Sequence, residues 1–155
     1  MTNETDIEFC TQLLPRVSRT FALSIEALPE PVSEQVCVAY LLCRILDTVE
    51  DSSGLELSKR EELFQSFDRI LKSDKVDPTT FENVAQCLPE SDSFDVQLCL
   101  GASAVFRRYH SFPKPIRDCL EGPILEMSSG MRLYVRRFAN EGQHRIHSIE
   151  DLDNY

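Results

Sequence analysis

Residues 36–51, Val36-Cys-Val-Ala-Tyr-Leu-Leu-Cys-Arg-Ile-Leu-Asp-Thr-Val-Glu-Asp51, read as a helix that is apolar almost all round and ends in three carboxylates. At about 100° per residue, Asp47, Glu50 and Asp51 fall within roughly a quarter-turn, and Tyr40 and Arg44 share their stripe. Val38, Leu42, Ile45 and Val49 take the opposite side and Leu41 and Leu46 the flanks, the pattern of a buried helix. Acids gathered at such an end repel one another, meet the roughly half-unit negative charge of the helix C-terminus and lose hydration. A cation belongs beside them. A hard divalent ion, which takes oxygen ligands and bridges carboxylates to substrate phosphates, matches this donor set. Spacing alone leaves a second reading open, a helix end whose acids are simply solvated.

Outward from this segment the periodicity stays helical and no stretch alternates as a strand, so the fold class is all-α. Helices are expected over Asp6–Leu14 and Ser18–Leu28, the latter stopped by Pro29 and Pro31. After Gly54, Ser58-Lys-Arg-Glu61 has the form of a capping box opening a helix with a Leu63, Phe64, Phe67, Ile70, Leu71 stripe. Asp77-Pro78 reads as an N-cap with proline at the first helical position. One helix is expected from Asp92 to Tyr109, its acids serving the helix start, and a long one from Pro113 to Asn140, bent at Gly122-Pro123. Within that last helix, Met127-Ser-Ser-Gly-Met131 leaves side-chain volume empty. Either a second helix packs tightly there or a bulky apolar ligand approaches.

The 155 residues, 42% hydrophobic, suit a single domain. A net charge of −10 excludes nucleic acid and anionic membrane as general partners. No apolar run reaches the ~18 residues of a transmembrane segment, and Met1 to Glu8 is polar, unlike a targeting peptide; the expected location is cytoplasmic. Cysteines 10, 37, 43, 87, 99 and 119 lack metal-ligand spacing and read as buried reduced thiols. His144 and His147 read as surface residues. No serine, cysteine or histidine constellation for nucleophilic catalysis emerges, and the spacing from Asp47 does not fit a calcium EF-hand loop.

Upstream, Arg16-Val-Ser-Arg-Thr-Phe21 places two arginines about one helical turn apart, and planar guanidinium forks suit phosphate oxygens. With Arg44 beside three acids, the chain holds both halves of a diphosphate site. At this point the sequence resembles the squalene/phytoene synthase family, the head-to-head prenyl-diphosphate synthases. The resemblance rests on Ser18-Arg-Thr-Phe21, Tyr40 through Asp51, Met127 through Met131, and Asp151-Leu-Asp-Asn-Tyr155.

The resemblance implies an isoprenoid-synthase helical bundle, of which residues 1–155 would be the amino-terminal half of one domain. The second acidic motif would lie beyond Tyr155, and these residues alone would have little activity. It implies that Asp47, Glu50 and Asp51 hold Mg²⁺, with Mn²⁺ the alternative ion. Ser18, Arg19, Tyr40 and Arg44 would contact diphosphate oxygens or, in a squalene synthase, the phosphates of NADPH. Tyr40 and Arg44 would be catalytic, and Phe21, Met127, Gly130 and Met131 would line the prenyl pocket. The implied reaction joins two farnesyl diphosphates through a cyclopropyl diphosphate to squalene. Phytoene or dehydrosqualene synthesis is the alternative within the family, and a non-catalytic helical assembly protein the alternative within the fold. Uncovered apolar faces would favour self-association, and a hydrophobic product would favour peripheral membrane contact.

Overall fold

The computed structural model describes residues 2–141 and 148–154, and its helices are built around the segment quoted above. Helices α1 (Thr2–Val17) and α2 (Arg19–Glu26) lead into α3 (Val32–Asp51), which carries that segment. Cys37, Val38, Leu41, Leu42, Ile45, Leu46 and Val49 of α3 are buried, each large apolar side chain contributing about 1.5–3 kcal/mol by leaving water. Next come α4 (Leu57–Lys72), α5 (Thr79–Ala85), α6 (Phe94–Leu100), α7 (Ala102–Ser111), α8 (Lys114–Glu141) and α9 (Ile149–Asn154). No strand occurs among the described residues. α1, α2, α4, α6, α7 and α8 all pack against α3. Beside it Phe67, Phe81 and Phe106 meet edge to face, with ring centroids 5.2, 6.0 and 6.3 Å apart. No described helix is long and apolar enough to cross a membrane.

Tertiary contacts override several local expectations. α1 extends beyond Asp6–Leu14 at both ends, with Pro15 inside its last turn. Its buried Asp6 accepts two hydrogen bonds from Arg107 of α7, at 2.7 and 2.9 Å. The chain leaves the helix at Ser18, whose φ of −157° is extended, so Arg16 and Arg19 belong to different helices. Arg16 lies over the Phe94 ring, 4.8 Å from its centroid. The capping box at Ser58 does not form, because α4 already begins at Leu57. Glu61, which would have reached back to close it, instead accepts from Arg132 and Arg136 of α8. Asp77 does cap α5, its Oδ1 accepting from the Thr79 N–H at 2.9 Å, although the helix starts one residue after Pro78.

The helix expected over Asp92–Tyr109 is two helices, broken at Gly101. The Phe9 ring of α1 approaches so closely that a Cβ at Gly101 would lie 2.4 Å from Phe9 Cζ. α8 continues through Pro123. Cys119 is exposed, against the expectation for the cysteines, whereas Cys10, Cys37 and Cys99 are buried. His144, His147 and Tyr155 lie outside the described residues. Gly101→Ala is expected to lower stability by about 1–3 kcal/mol through overpacking. In urea denaturation, the loss in the Phe9→Ala, Gly101→Ala double variant should be smaller than the sum of the single losses.

Candidate functional site

The last two turns of α3 set their polar stripe between two clefts. Asp47 and Glu50 line the first, of about 490 Å³, together with Glu126, Met127, Gly130, Met131 and Tyr134 of α8 and with Asp153. Arg44, Thr48 and Asp51 line the second, of about 350 Å³, with Ser52, Ser53, Ser91, Ser93 and Asp95 among its other residues. The three carboxylates of the sequence motif are thus divided, two facing α8 and one facing the start of α6. Among the described residues, no three histidine, cysteine, aspartate or glutamate side chains gather as a ready-made metal group.

Charge in the two clefts is unevenly balanced. Arg44 donates from Nε to Asp95 Oδ1 at 2.9 Å and from Nη2 to Asp95 Oδ2 at 3.1 Å, while its Nη1 lies 3.9 Å from Asp47. The hydrogen bonds to Asp95 hold the Arg44 guanidinium above its ordinary pKa. Burial pushes the Asp47 carboxyl above the usual range, Arg44 partly offsets that, and Asp51 and Asp95 add repulsion. Glu50 is likewise raised, by burial first and then by Asp51 and Asp47. Arg60 of α4 donates from Nη1 to the Glu50 carbonyl at 2.8 Å, closing the acidic end of α3 with a cation as the helix dipole favours. Arg44 and Arg60 therefore supply positive charge, yet Asp47 and Glu50 remain carboxylates that would gain from more of it.

The remaining expected residues take definite places. Ser18 caps α2, its Oγ accepting from the Phe21 N–H at 3.4 Å, and Arg19 is exposed in the first turn. Phe21, 58% exposed, stacks on Tyr40 with centroids 5.4 Å apart. It does not line the cleft that holds Met127, Gly130 and Met131. The small-residue stretch of α8 serves two faces. Met127, Gly130, Met131 and Tyr134 turn to the acids at helical spacing, while buried Ser128 donates to Asp68 Oδ1 of α4 at 2.7 Å. Asp95, Arg60 and Tyr134 were not evident as site residues from sequence. Extending the Met127–Met131 period by one step reaches Tyr134; Asp95 lies 51 residues from Arg44 with no spacing to mark it.

With this geometry in place, similarity to known proteins becomes informative. Squalene synthase from Schizosaccharomyces pombe is 31% identical over 150 residues, which are 97% of this chain and 31% of that protein. Squalene synthase from Eremothecium gossypii is 28% identical over 152 residues, 97% of this chain and 32% of that one. A solved TcSQS–ligand complex shares the fold with a TM-score of 0.76 at 28% identity, over 99% of this chain and 40% of that chain. The chain thus spans about a third of the length of these curated relatives and 40% of that solved chain. The squalene/phytoene synthase family model matches residues 14–155, and the chain belongs to that family.

Proposed function

We propose that the chain serves Mg²⁺-dependent head-to-head condensation of two prenyl diphosphates in isoprenoid biosynthesis. The observation that carries this reading is one cleft in which Asp47 and Glu50, joined by Glu126 and Asp153, share the lining with Met127, Gly130, Met131 and Tyr134. Such a cleft can take a molecule with an anionic head and a hydrocarbon tail. Oxygen donors short of positive charge fit Mg²⁺, or Mn²⁺ in its place, which keeps its remaining sites for water and phosphate oxygens. When bound, the ion offsets the charge of the departing pyrophosphate.

The chain's own residues do the rest. Arg44, beside Asp47, donates to diphosphate oxygens, and the exposed Arg19 with the Ser18 hydroxyl and Tyr40 offers further donors from the start of α2 and the face of α3. The same group suits the phosphates of NADPH in a squalene synthase. Met127, Gly130 and Met131 keep water from an allylic cation. The farnesyl route through a cyclopropyl diphosphate to squalene is favoured, because the relatives matched along the whole chain are named squalene synthases. Phytoene or dehydrosqualene synthesis uses the same machinery. Because the chain spans a third of its relatives, we expect these 155 residues alone to bind substrate without turnover. Exposed Phe21, Leu23 and Leu133 favour self-association or peripheral membrane contact, and the cysteines without disulfides fit a cytoplasmic location.

Thermal melts with a farnesyl diphosphate analogue and Mg²⁺ test the reading. Stabilisation should reach about 2.7 kcal/mol at a hundredfold excess over Kd, and it should vanish without metal or in Asp47→Asn. Stabilisation independent of metal would favour the non-catalytic assembly protein. Because the folded pKa of Asp47 is raised, the folded chain holds more protons than the unfolded chain between the ordinary and the raised value, and stability falls as pH rises through that window. Asp47→Asn should therefore raise the melting temperature of the unliganded chain at pH 7 and leave it unchanged at pH 2.5. Product analysis of the complete reading frame with farnesyl or geranylgeranyl diphosphate, with and without NADPH, separates the branches: squalene only with NADPH, phytoene from the longer substrate.

A further inference from the structure

We infer that Asp95 is a positioning residue for Arg44, setting which donors of that guanidinium face the diphosphate; the inference rests on the function proposed above. A guanidinium carries five N–H donors in a fixed plane. Asp95 takes the Nε–H and one Nη2–H, at 2.9 and 3.1 Å. The two Nη1 protons and the second Nη2 proton remain, and they form the end-on fork of the side chain. Nη1 lies 3.9 Å from Asp47, and Asp47 is one of the four acids, with Glu50, Glu126 and Asp153, that line the cleft of Met127 and Met131; Arg44 itself lines the neighbouring cleft with Asp95. The edge of Arg44 left open by Asp95 is thus the edge nearest Asp47, and a diphosphate held at Asp47 through a cation would meet it there.

Asp95 is itself held in place. It lies in the first turn of α6, where its backbone N–H donates to the Oγ of the N-cap Ser93 at 3.2 Å. α6 packs against α3, and Arg44 and Asp95 are both about two-thirds shielded from solvent, with 32% and 31% of their side chains exposed. A two-point contact between planar groups fixes rotation as well as distance, so the long Arg44 side chain loses its rotamer freedom before any ligand arrives. The carboxylate also carries a cost for an anion-binding site, since it places a negative charge beside the incoming phosphates. Charge and orientation therefore make opposite predictions for its removal.

The experiment is calorimetric titration of the 155-residue chain with inorganic pyrophosphate in Mg²⁺, for the unmodified protein, Asp95→Asn, Asp95→Glu, Arg44→Ala and Arg44→Ala with Asp95→Asn. If Asp95 positions Arg44, Asp95→Asn weakens pyrophosphate about tenfold despite the loss of a negative charge. Asp95→Glu, which keeps the two-point acceptor, recovers part of that affinity, and Asp95→Asn adds no further loss once Arg44 is alanine. In the same samples the Arg44 Nε–H resonance, protected from exchange in the unmodified chain, becomes fast-exchanging in Asp95→Asn. Unchanged or tightened binding in Asp95→Asn overturns the inference and leaves the diphosphate reading standing, as does a full additive loss in the double variant. Failure of the unmodified chain to bind pyrophosphate with Mg²⁺ overturns the diphosphate reading and this inference with it.

Discussion

The burial of the apolar face of α3 beneath its neighbours is the constraint from which the rest of the molecule follows. Six helices pack on it, and Val38, Leu41, Leu42, Ile45 and Leu46 have no access to water. Polar side chains on such a helix can persist only where the neighbouring helices part or where a partner meets them. Both conditions hold in its last two turns. Asp47 and Glu50 look into the gap before α8, and Arg44 is met by Asp95 from α6. The same packing that excludes water from Leu42 and Ile45 thereby fixes where charge is tolerated.

That location gives the site its character. Asp47 and Glu50, half-buried at this helix end, are held above their ordinary pKa by burial first and by their acidic neighbours after it. Arg60 satisfies the Glu50 carbonyl rather than pairing with its carboxylate, and Arg44 spends one edge on Asp95. What is left is an anionic rim with an outward-facing cationic fork beside a wall of methionine and tyrosine. A molecule that is itself anionic can enter only in company with a cation. This is the physical reason why metal and diphosphate are linked in the proposed chemistry.

The all-α fold and the place of the acidic helix were legible because they follow from local period, which the tertiary structure had no reason to overturn. The division of the acids between two clefts was not. At helical spacing Asp51 and Asp47 share a stripe, and which neighbour fills the space beside each depends on where α6 and α8 lie. Asp95 illustrates the difficulty: in sequence it is an acid near a helix start, and it does occupy the first turn of α6, yet its carboxylate belongs to Arg44. The break at Gly101 escaped for a similar reason, since the ring that presses on it comes from Phe9, far upstream. Glu61 is the opposite case, a residue whose local pattern promised a cap and whose long-range partners, Arg132 and Arg136, outbid it.

The pairing of Asp6 with Arg107 has a consequence for how the chain acquires its structure. The two residues are 101 positions apart, so a ribosome must add most of the sequence before the first helix can meet its counter-ion. Until then α1 can lean on α2 and α3, but seating Asp6 fully would strand an ionised carboxylate away from water. Closing so long a loop is a late and slow event for a helical protein. Among the ion pairs of the described residues this one spans the longest stretch of chain, so α1 is the helix that waits longest for its counter-ion.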